Sequence, residues 1–127
     1  MLNWFNGADT PSGSGGFTKY IKLSDVVNPG PAMTFVFLDE RADSINDGEF
    51  FQSMAGWPDL GRAWLMADWP ASYHGGAGGL SFVDGHSEIH KWKDPRTVPP
   101  VGQLPPSVNL PNDVDIFWLM ERATRKP

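Results

Sequence analysis

A chain of 127 residues, 40% of them apolar and with six Trp and eight Phe, suits one domain with a compact core. Its formal charge of −5 and lack of a basic stripe argue against nucleic acid as a partner, and the absence of Cys excludes disulfides, thiolate zinc sites and cysteine nucleophiles. No apolar stretch reaches the roughly 18 residues that a membrane-spanning helix needs, and Met1–Phe5 is too short and polar for a signal peptide.

Fourteen Gly and twelve Pro favour short elements and many turns over a helical bundle. Residues 1–16 are turn-rich, and ADTPSGSGG (8–16) has the composition of a flexible loop. Phe17–Leu23 alternates and reads as an extended segment or strand. Ser24 can cap a single helical turn before Asn28-Pro29-Gly30-Pro31 breaks it. Met33–Leu38 is the most apolar run, β-branched and aromatic, and predicts a buried central strand. Residues 45–51 begin with a turn and continue into an edge strand; 53–62 form a loop, and 63–67 a short strand.

Residues 79–83 and 86–92 predict a hairpin closed by Asp84-Gly85 as a two-residue type I′ turn. That turn sets Val83 opposite His86 and Leu80 opposite Ile89. Leu80, Phe82 and Ile89 then face the core, and Ser81, Val83, His86, Glu88, His90 and Trp92 the other side. The Pro-rich segment 94–112 is expected to run extended over the surface. Asn112 or Asp113 should cap a final helix over 113–124, with a wide apolar stripe and Arg122, Arg125 and Lys126 at its C-terminal end. The fold class expected is α+β: one domain over 1–127, a small antiparallel sheet with the C-terminal helix docked on it.

Four features of the sequence invite a chemical reading. Asp39, Glu40, Asp43, Asn46 and Asp47 concentrate oxygen ligands in a nine-residue span with Gly48 beside them, and calcium is the ion such a set would take. The spacing is not that of an EF-hand, and the plainer reading is a solvated loop with Asx-turns. His86, Glu88 and His90 alternate along one strand, about 7 Å apart, where long side chains can converge on zinc; a polar sheet face is the plainer alternative. His74 lacks a Gly-x-Ser-x-Gly nucleophile and is expected to bridge loop carbonyls instead. The Gly75–Gly79 run lacks the Lys-Ser/Thr ending of a phosphate loop, so its glycines are expected to let the backbone pass close to Trp69 or Trp92.

His74, nine intervening residues and then Asp84-Gly85 form the most distinctive spacing in the chain. With Phe37-Leu38-Asp39-Glu40, Ser44-Ile45-Asn46-Asp47-Gly48-Glu49-Phe50, Pro70–His74, Asp84–Trp92 and Asp115–Leu119 in the same order, the chain resembles the processing-associated C-terminal domain of prepilin-type, pseudopilin-like proteins. The resemblance implies a pilin-like globular head of a structural subunit related to type II secretion and type IV pilin systems, without the long N-terminal helix of that group. It implies export to the bacterial periplasm, cell envelope or cell surface. It also implies partnership with other pseudopilin subunits through that helix and with secretion machinery, and membrane contact only through the same helix. Major pseudopilins of type II secretion bind calcium in a head loop, which adds interest to the acidic span.

A reading from a different class is an extracellular carbohydrate- or ligand-binding module, which predicts an exposed groove formed by some of Trp57, Trp64, Trp69 and Trp92. A metal-dependent hydrolase built on His86, Glu88 and His90 would further need a cleft and an open coordination position.

Overall fold

In the computed structural model the described residues are 1–7 and 15–127, so most of the expected 8–16 loop lies outside them. They form seven short strands: β1 (Leu2–Asn3), β2 (Phe35–Leu38), β3 (Glu49–Phe50), β4 (Leu65–Met66), β5 (Ala77–Phe82), β6 (Ser87–Lys91) and β7 (Val108–Asn109). One helix, α1 (Val114–Ala123), follows, and single 3-10 turns lie at Leu23–Asp25, Gly61–Ala63 and Pro95–Thr97. The main sheet has the order β3-β1-β2-β5-β6, with β4 and β7 pairing as a separate ribbon. This is the α+β arrangement expected, a small sheet with a C-terminal helix. Its pairs are antiparallel except β1 with β3, which run parallel.

The apolar run at Met33–Leu38 does become the central strand, but one of its large side chains escapes the core. A register irregularity between Phe35 and Phe37 resets the alternation, so Phe35 and Leu38 point inward while Phe37 is 55% exposed. β3 lies at the sheet edge, as expected for residues 45–51, and β4 falls inside the expected 63–67 strand.

Elsewhere the chain departs from expectation. Phe17–Leu23 is not a strand; Tyr20 makes only an isolated bridge to Asn6. The turn at Leu23–Asp25 is not capped by Ser24. The Asp25 carboxylate reaches back to accept from the N–H groups of Ile21 and Lys22 at 3.1 and 3.0 Å. β1 lies within sequence that reads as turn-rich, because two residues are too few to show a period. The Pro-rich segment is not wholly a surface strap: Thr97 is fully buried, and Val108–Asn109 between the prolines pairs with β4.

The hairpin corrects the expected register by one residue. Phe82 bonds His86, the Gly85 N–H donates to the Phe82 carbonyl at 3.0 Å, and Leu80 faces Glu88. The loop is therefore Val83-Asp84-Gly85, a turn whose third residue, Gly85, has φ +94°; no positive φ occurs at Asp84. A slip of one residue inverts the faces of a strand. Ile89, expected inside, is 69% exposed, while His86, Glu88 and His90 share the helix side of the sheet with Leu80 and Phe82. His86 stacks on Phe82 at 4.3 Å and His90 on Trp118 at 3.7 Å.

The helix begins where the sequence places it. Asp113 is the cap, accepting from the N–H groups of Asp115 and Ile116, while Asn112 takes a left-handed φ of 57° just before it. Ile116, Leu119, Met120 and Ala123 are fully buried and share one core with Phe35, Leu38, Phe50, Met66 and Phe82. Val114, apolar and expected on the same stripe from its place in the first turn of the helix, is instead exposed. At the other end Arg125 donates to the carbonyls of Met120, Glu121 and Thr124, supplying donors for the last turn of the helix. Buried Asn3 ties the layers together, donating from Nδ2 to the carbonyls of Phe35 and Ala123 at 3.0 and 3.1 Å.

Two substitutions test this account. Leu119→Ala should cost about 2–5 kcal/mol of stability in urea unfolding, since the cavity lies in the shared core. Gly85→Val should cost about 1–3 kcal/mol, because a β-branched residue resists a positive φ; an unchanged unfolding midpoint would show that the turn has another form.

Candidate functional site

Most residues that carry the family resemblance fall into two neighbourhoods, both toward the open end of the β5–β6 hairpin, where Ala77 pairs with Lys91, while Asp84 and Gly85 close its other end. In the first, the loop after β2 is braced against the segment that leads into β5. The Asp39 N–H donates to the Gly79 carbonyl and the Ala71 N–H to the Asp39 carbonyl, at 3.0 and 2.6 Å. The Arg41 N–H reaches the Trp69 carbonyl, the Trp69 N–H reaches the Ser44 hydroxyl, and the Ala42 N–H reaches the Tyr73 hydroxyl.

Arg41 is the anchor of this loop. It is fully buried, and its guanidinium grips Asp43 with two bonds of 3.0 and 2.9 Å while also donating to the carbonyls of Pro99 and Pro100. The same Asp43 carboxylate accepts from the Gly102 N–H at 2.9 Å. Arg41 beside it lowers the Asp43 carboxyl to about 2. The pair thus fastens the Pro-rich segment to the loop after β2.

The acidic residues expected to share a calcium ion are not gathered together. Asp39 turns toward the Gly79 N–H, Asp43 toward Arg41, and Asp47 accepts from the Glu49 N–H at 2.8 Å. Asn46 is exposed. Glu40 alone turns inward. Among the described residues no group of three or more His, Asp or Glu side chains is placed to hold a metal. The set His86, Glu88 and His90 is likewise split. His86 Nδ1 lies 2.5 Å from Asp84 Oδ1, whereas His90 is tucked between Trp118 and Trp92.

Glu40 is the unusual member. Both its carboxylate oxygens are buried without a hydrogen-bond partner. Burial pushes it up to about 7, with the Ser44 hydroxyl pulling down, Asp68 pushing up, the Met1 amino group pulling down and Asp47 pushing up. Ser44 is near enough to matter, but makes no hydrogen bond of ordinary geometry to Glu40. Asp68, which the sequence offers no reason to single out, is also buried and also raised by burial, against a bond from the Phe51 N–H.

The second neighbourhood lies where β6 ends and α1 begins. The buried Asp115 carboxylate accepts from the N–H groups of Lys93 and Asp94 and from the Thr97 hydroxyl, the last two at 2.8 Å. Asp113, raised by burial, caps the helix and faces the same hydroxyl at 3.3 Å. His90 Nε2 stands 4.0 Å from Asp115, too far for a hydrogen bond, and burial lowers its pKa while Asp115 and Glu88 oppose that shift. The sequence offers Asn112 or Asp113 as the cap, of which Asp113 serves, and marks Asp115 only as part of a motif, with nothing to show that it binds Thr97. The signal present was an Asp two residues into the helix, where carboxylates favour the N-terminus.

The spacing between His74 and Asp84 has a plain cause. β5 occupies Ala77–Phe82 between them, so the two lie at opposite ends of a strand about 16 Å long. They form no common site. His74 is exposed, not the buried bridge expected. Asp84 turns back onto the N–H and ring of His86, which lowers its pKa. The glycines act as expected at one point: a Cβ on Gly78 would stand 2.7 Å from the Ala71 carbonyl and 3.3 Å from the Trp92 ring. The exposed Trp groove is absent. Trp64, Trp69 and Trp92 are buried, and half-buried Trp57 stacks on Phe117, which Trp64 also contacts.

Comparison with protein-family models, curated proteins and solved structures gave no match. The likeness to pseudopilin-like proteins therefore stands on the motif residues alone.

The inward Glu40 makes a signed prediction. Its folded pKa, about 7, exceeds its ordinary 4.5, so the folded state holds a proton that the unfolded state has lost. The stabilising contribution is complete below pH 4.5, fades as pH rises, and is gone above 7. Melting temperatures across this range should fall for the native chain. Glu40→Gln, neutral throughout, should flatten that fall and raise stability at pH 8. The Asp43–Arg41 pair acts in a separate acidic window, losing its contribution as pH falls from 3.8 through about 2.

Proposed function

We propose that this chain is the non-enzymatic globular head of an exported, pseudopilin-like structural subunit of a type II secretion-like or type IV pilus-like assembly. The observation that carries the reading is the use to which the motif residues are put. Asp39, Arg41, Ser44 and Asp43 brace loops; Gly78 allows close packing; Asp84 and Gly85 close a hairpin; Asp115 pins the helix. Such residues serve a rigid scaffold. They do not converge on a cleft with a nucleophile, base and orienting group, which an enzyme would need. Burial of Trp64, Trp69 and Trp92 leaves the alternative, a sugar-stacking platform, without its aromatic surface.

On this reading the partners are other subunits of the same assembly and its secretion machinery, reached through the N-terminal helix that pseudopilin-like proteins carry. The site of action is the periplasm, envelope or cell surface.

Fractionation of the source cells with an antibody against this chain tests the proposal. The antigen should appear in the envelope and in material sheared from the surface, and should redistribute when prepilin processing is blocked. An antigen confined to the cytosol would refute the reading.

A further inference from the structure

The outer sheet edge, β6, is complementary to itself. It ends the strand order, and among the described residues no strand pairs with its free side. The phase of its hydrogen bonds follows from the hairpin. Phe82 N–H donates to the His86 carbonyl and Trp92 N–H to the Gly76 carbonyl, both ends of a ladder in which Leu80 faces Glu88 and Gly78 faces His90. In an antiparallel ladder such pairs alternate, so His86, Glu88, His90 and Trp92 direct their backbone groups toward β5. Ser87, Ile89 and Lys91 therefore direct theirs outward along an exposed edge, with no backbone partner among the described residues.

We propose that this edge pairs with β6 of a second copy of the chain, antiparallel, about a two-fold axis at Ile89. Centred there, Ile89 bonds Ile89 of the other copy, and Ser87 and Lys91 bond one another reciprocally, so every outward backbone group of the strand is used. The close, non-hydrogen-bonded pairs become Glu88 with His90 of the other copy. Charges of both signs stand around His90, Asp115 and Glu88 negative and Arg122 and Lys93 positive, so this register sets a carboxylate against an imidazole and not against a second carboxylate. On the outer face two Ile89 side chains meet, each 69% exposed in the single chain.

Neighbouring registers with the same hydrogen-bond phase are worse. Sliding one way sets Glu88 directly against Glu88 and Ser87 against Ile89. Sliding the other way sets His90 against His90 and Ile89 against Lys91. Like charges directly opposite are destabilising, which disfavours the first, and the second sets apolar Ile89 against Lys91 and forfeits the contact of the two Ile89 side chains, so the register centred on Ile89 is preferred. The result is a continuous sheet through both copies, with the two helices on the same face.

The experiment uses the intact chain. Light scattering after gel filtration should give twice the 14.0 kDa chain mass. Ile89→Lys, which sets two ammonium groups across the axis at a surface position, should return the mass to that of one chain while circular dichroism and melting stay unchanged. Because the chain has no Cys, Ile89→Cys should cross-link to itself under mild diamide oxidation. The hydrogen-bonded pair would hold its Cα atoms about 5.5 Å apart, within disulfide reach. Ser87→Cys, displaced along the strand from its counterpart, should not. A native chain that stays at the single mass at its highest soluble concentration overturns the proposal. So does a dimer that survives Ile89→Lys, or Ser87→Cys cross-linking as readily as Ile89→Cys.

Discussion

One carboxylate holds the chain's last element in place. Asp115 is buried, and a buried anion is tolerable only when donors surround it. It has three: two successive backbone N–H groups just after β6 and the Thr97 hydroxyl. Its own position, two residues into α1, adds the favourable end of the helix dipole. The exit of the sheet, the turn at Pro95–Thr97 and the start of the helix therefore meet at a single side chain. That junction aims Ile116, Leu119, Met120 and Ala123 at the inner face of the sheet. Asn3 does the corresponding work at the far end, bonding both β2 and the last turn of the helix.

The architecture was legible where side chains repeat and hidden where they do not. The final helix has a cap, a stripe and cations at its end, and the structure places it within a residue of expectation. The central strand is apolar and bounded by prolines and acids. The hairpin itself was equally clear, but its register was not, because Asp84-Gly85 is compatible with a two-residue or a three-residue loop. That single residue decided whether Ile89 or the His86, Glu88 and His90 set faced the helix. Two-residue strands such as β1 and β7 carry no period at all, and pairing across the chain creates them.

Of the candidate site, sequence proximity proved a poor guide to spatial proximity. Four carboxylates lie within Asp39–Asp47, yet backbone N–H groups and Arg41 draw those of Asp39, Asp43 and Asp47 apart. Conversely Glu40 feels the charge of Asp68, which is far along the chain and carries no motif. His74 and Asp84 are fixed in number because a strand of fixed length lies between them, not because they act on one substrate.

The glycine run is where packing and motif meet. The loop after β2 and the segment 68–74 both cross the start of β5, and their approach leaves no room for side chains. At Gly78 a methyl group would strike the Ala71 carbonyl and press on Trp92; at Gly79 it would come within 2.8 Å of the Asp39 carboxylate. Trp92 is itself fixed by a bond from its Nε1 to the Ala71 carbonyl at 2.8 Å. A run that resembles a ligand-binding loop is thus filled by the protein's own backbone and an indole ring. Chemistry in the motif has been spent on closeness, and closeness is what a short sheet with few residues per strand needs to become rigid. β6 ends that sheet, and among the described residues no strand pairs with its outer side, so backbone groups are part of the surface this fold can offer a partner.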